Sequence, residues 1–203
     1  MVMDTLSLGF CRCLSSTPVA HASPFVECCV VYGSGKVVIL GMVSSAVEEQ
    51  VHLAIAWACL RLSYIKKTLN VDAYKVALPL PPDRDLVVNI SPGQAGVWKN
   101  QTLGGAIAIA VVSMMTGLHP QEGTAVAGEL CGCPGGLGNV IISTESSLWH
   151  NISSVQGIDR VVLGSQTAET VRDEARKEGV LVMGVGDIAS ALASIITPLQ
   201  KSP

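Results

Sequence analysis

Residues 97–117 read VWKNQTLGGAIAIAVVSMMTG, and the fold turns on how this stretch is interpreted. A polar loop passes through Thr102-Leu103-Gly104-Gly105 into a run from Ala106 to Met115 whose one polar member is Ser113. Ile107, Ile109, Val111 and Val112 favour a strand. The run is longer than the ~4–8 residues usual for a strand, and it ends at Thr116-Gly117, which suits a helix C-cap. A helix buried on most faces is therefore expected. Thr102 is placed to be its N-cap, the hydroxyl accepting a bond from an N–H of the first turn. A hydroxyl at the mouth of a buried helix, beside free backbone N–H groups, is also where an acyl-transfer nucleophile sits. Thr102 thus carries two readings, cap or nucleophile.

Upstream of this helix the pattern is dominated by strands. Leu6 to Leu14 reads as a strand, followed by a Ser/Pro/Ala-rich loop to Pro24. FVECCVVY (25–32) and KVVILG (36–41) are β-rich runs joined by Gly33-Ser34-Gly35, which predicts a hairpin. The GSGK at this turn is no phosphate loop: a Walker A string needs glycine and Ser/Thr where the chain has Val30 and Val37. A helix capped by Ser44 or Ser45 is expected to run to about Leu69. Val47, Val51, Ala54, Ala58, Leu62 and Ile65 lie on its core stripe, with Trp57 and Cys59 on the same side. Lys66-Lys67 suits its C-terminal end. Prolines at 79, 81 and 82 break the chain before a strand, DLVVNI (85–90).

Downstream, a strand is expected over 124–130, a glycine-dense loop over 131–136 and a short strand over 139–142. A helix is expected from Ser143 to Ser154, then strand 159–163, helix 167–178, strand 180–185 and helix 187–196. The first third reads as antiparallel, and the alternation of the last third points to a partly parallel sheet. The fold class is α/β with a mixed sheet.

Composition narrows the function. Of 203 residues, 49% are hydrophobic and 14% charged, enough apolar surface for one large domain. A net charge of −3 without a basic stripe argues against nucleic acid. No apolar run is long enough to span a bilayer, and no signal-peptide pattern opens the chain, so the sequons at Asn89, Asn100 and Asn151 read as chance. Seven cysteines without C-x-x-C spacing read as free thiols of a reducing, cytoplasmic compartment; an organellar matrix is the alternative. A zinc site from Cys131, Cys133 and a histidine is the lesser reading. No cofactor is expected. Met1 without tag-like sequence reads as a natural start.

Several strings, taken in order, resemble the proteolytic domain of the Lon protease family. FVECCVVYGSGKVVILG is similar to its early hairpin, whose strands flank a G-x-G-K turn, and RDLVVNISPG to the strand that leads to the catalytic serine. MTG, AGEL, GNVII and GIDRVVL then follow in the family's order. The resemblance implies a ribosomal protein S5 domain 2-like fold over residues 25–198. Residues 1–24 would be an N-terminal strand and loop of the same domain, and 199–203 a tail. It also implies a polypeptide partner and a homo-oligomer, usually a hexameric ring. No Walker string marks an AAA+ module.

The family's chemistry is a Ser-Lys dyad: a lysine of depressed pKa takes the serine proton, and helix-start N–H groups hold the oxyanion. Counting back from Met115-Thr116-Gly117 puts the serine's position on Thr102, followed by the bulky Leu103. Counting back from Gly157-Ile158 puts the lysine's position on Ser147, and no lysine or arginine occurs between Lys99 and Arg160. A neutral hydroxyl is no general base near neutral pH. His150, three residues after Ser147, is the substitute base if both lie on one helix face; otherwise it is a packing histidine. Glu129 reads as structural. The expectation is a proteolytically inactive homologue acting by binding or as an assembly subunit. The alternative is an ATP-independent peptidase using Thr102 with a non-lysine base.

Overall fold

The computed structural model describes residues 8–14, 24–41, 43–91, 101–133, 136–143 and 157–196, of which 101, 132–133 and 136–143 are described by backbone alone. Alternating burial along β1 (Leu8–Cys13) and β2 (Phe25–Tyr32) sets Cys11, Cys13, Val26, Cys28 and Val30 toward the core. β3 (Val37–Leu40) and β4 (Arg84–Ser91) complete one half of a seven-stranded sheet. β5 (Thr124–Val126), β8 (Arg160–Gly164) and β9 (Leu181–Val185) form the other half, giving the order β3-β4-β2-β1-β5-β8-β9. β6 (Glu129–Cys133) and β7 (Gly136–Ser143) make a separate antiparallel pair. The class is mixed α/β, as expected.

The helix over the deciding stretch, α3 (Gly104–Thr116), is buried at all thirteen positions. It ends where the sequence says it should, at Gly117 with φ 72. It packs on β1 and β2 from one side and against α1 (Ser45–Leu60) from the other. Its small residues permit a near-backbone approach to β1. A Cβ at Gly9 would overlap Ala110 O and lie 2.5 Å from Met114 N.

α1, α2 (Leu62–Thr68), α3 and α5 (Ile188–Ile195) share one core over the sheet. α4 (Ser165–Lys177) covers the opposite face of β5, β8 and β9 with Ala168, Val171 and Ala175. Val162 therefore faces the first core while Val161 and Leu163 face the second, the doubly buried pattern of parallel strands.

Four expectations are corrected. The runs 25–32 and 36–41 do not pair as a hairpin, because β4 lies between them, antiparallel to β2 and parallel to β3. The helix from Ser45 to Leu69 divides at Arg61, whose N–H donates to both Trp57 O and Ala58 O. The strand over 124–130 is split at Ala127-Gly128 into β5 and β6, members of different sheets. Of the loop expected over 131–136, residues 131–133 belong to β6 and Gly136 begins β7. The helix expected over 143–154 lies outside the described residues, apart from Ser143, which ends β7.

Candidate functional site

The approach to α3 is a 3-10 turn, Gln101–Leu103, that runs straight into the helix. The N-cap position consequently falls on Leu103, whose backbone is already helical and which no side chain caps. The expected capping role of Thr102 is thereby corrected: the turn begins one step earlier and carries Thr102 inside it. Thr102 is 5% exposed and Leu103 is fully buried.

Main-chain bonds close this mouth. Gly128, between β5 and β6, receives the Gly105 N–H at its oxygen (2.8 Å) and donates its own N–H to Thr102 O (2.8 Å). One of the helix-start donors that would cradle an oxyanion is thus committed to a neighbouring peptide. Gln50, on α1 and 2% exposed, closes the next position. Its Nε2 donates to Leu130 O (3.2 Å), and Leu130 N donates to its Oε1 (2.6 Å). The side-chain amide takes the place of a neighbouring strand along the margin of β6. Gly104 has no room for a side chain here, since a Cβ would overlap Gln50 Oε1 and come within 2.8 Å of Leu130 Cγ. Neither Gly128 nor Gln50 was singled out by the sequence.

Two of the described candidate bases, His119 and Lys75, stand far off. His119 lies beyond the other end of α3, where its Nδ1 is 3.3 Å from Ser113 Oγ. Lys75 packs at Gly117. A thirteen-residue helix separates these groups from Thr102, about 18 Å of axial rise. His52 is exposed on α1, on a different side from Gln50. The Ser113–His119 pair has the atoms of a nucleophile and a base, but Ser113 is 0% exposed and no acyl group can reach it. Ser147 and His150 lie outside the described residues.

The GSGK turn has an occupant of its own. Asp85 Oδ1 accepts the N–H groups of Ser34 (2.7 Å) and Lys36 (2.8 Å), so the turn that resembles an anion site already binds a carboxylate. Those backbone bonds hold the Asp85 carboxyl below its ordinary pKa. Asn89 lies inside β4, donating to Glu27 Oε2 at 2.9 Å, a poor setting for a glycosylation acceptor. Cys11, Cys13 and Cys28 are fully buried, with pKa values pushed up chiefly by burial. Among the described residues no three His, Cys, Asp or Glu side chains gather as metal ligands, and no helix is long and apolar enough to cross a membrane. No protein-family model and no curated protein matches the chain.

Proposed function

We propose that the chain is a Lon-type proteolytic-domain homologue, of ribosomal protein S5 domain 2-like fold, without working catalytic machinery. Its action is to bind a polypeptide or to serve as an assembly subunit, in a homo-oligomer or beside an active partner. The observation that carries this reading is the closed mouth of α3. Hydrolysis by a hydroxyl needs an accessible oxygen, a base in hydrogen-bond reach and free donors for the oxyanion. Thr102 is 5% exposed, and the Gly105 N–H is taken by Gly128 O. The family's lysine position is Ser147, in a span without any lysine or arginine from Asn100 to Asp159. The mixed sheet and the buried helix after a polar loop accord with the resemblance in the order of strings. Binding does not depend on the missing groups, because strand addition needs only main-chain donors and acceptors along an open margin. At Leu130 the margin of β6 is filled from within by Gln50, so a bound strand would use another margin.

The test is turnover of casein and of fluorogenic peptides by the purified chain. The expected result is none, with Thr102→Ala leaving that baseline unchanged. Cleavage that Thr102→Ala abolishes while the circular dichroism spectrum stays native would establish the competing reading, a peptidase using Thr102 with a non-lysine base such as His150. His150→Ala would then separate the histidine from a water relay. Sedimentation velocity reports the oligomer in the same preparations, and a ring would sediment several times faster than a 21.1 kDa monomer.

A further inference from the structure

We draw no further inference here: the strongest candidate, the outer margin of β3 where Val37 and Leu40 stand exposed at the end of the seven-stranded sheet, is an unpartnered apolar edge and nothing in the structure shows what covers it.

Discussion

Asp85 illustrates what one side chain does in this fold. Its carboxylate satisfies two turn amides, and a Cβ at Gly33 would overlap the carboxyl group, so glycine and aspartate are fitted to each other. The pKa of Asp85 is lowered in the fold, chiefly by the bond from Lys36 N–H and then that from Ser34. Its contribution is therefore complete above the unfolded carboxyl's pKa, ordinarily 3.8, and is lost as pH falls through the lower folded value. Asp85→Asn should lower the melting temperature at pH 7 and flatten the acid limb below about pH 4, where the wild type loses this contribution. Parallel acid limbs in the two proteins would contradict the assignment. The sequence showed the turn and excluded a phosphate loop by its missing residues. It gave no hint of the occupant, which lies 49 to 51 residues away along the chain.

The central element is α3, and its packing depends on a residue outside it. Gly9 lets the helix lie against β1 with Ala110 O and Met114 N nearly in contact with the strand backbone. Gly9→Ala inserts a methyl against main chain, which cannot yield by a rotamer change. The expected loss is about 1–3 kcal/mol, read as a lower urea midpoint at unchanged m-value. Gln50 is the corresponding test at the helix mouth. Gln50→Leu keeps the bulk but leaves Leu130 N–H and C=O without their partner, at a cost of about 1–3 kcal/mol for each buried group. Hydrogen exchange should then quicken at Leu130 and Gly105 and stay unchanged in α4. If protection at those amides survives the substitution, the amide is not what joins β6 to α1. Helix rather than strand was legible at α3 from length and from Thr116-Gly117. The start was misplaced because a 3-10 turn precedes the helix, which carries Thr102 inside the turn and moves the N-cap to Leu103.

Across the whole molecule, the sheet places three thiols where water does not reach. Cys11, Cys13 and Cys28 lie under the helical layer that holds α3, and burial raises their pKa values. The folded state keeps these protons while the unfolded chain releases them near pH ~8.5, so stability is full below that pH and falls as pH rises above it. Cys28→Val should make this alkaline decline shallower in a chemical-denaturation series from pH 7 to 10. An unchanged slope would mean that another group governs the alkaline limb. The sheet separates the two cores, since Val162 faces one while Val161 and Leu163 face the other. Damage at the α3 face should therefore reach the α4 face only through global unfolding.

Local pattern determined a good deal of this protein: the strands from their two-residue alternation, the helices from apolar stripes and stops, and the lack of a lysine between Lys99 and Arg160. Such signals are carried by neighbouring residues, and the backbone obeys them wherever the segment ends up. Tertiary structure alone decided that β4 lies between β2 and β3, that Gly128 occupies the helix mouth, and that Gln50 stands in for a strand beside β6. These outcomes depend on which distant segments satisfy each other's main-chain groups. The contact between Gln50 and Leu130 spans 80 residues, and a periodicity of two or 3.6 carries no information at that range.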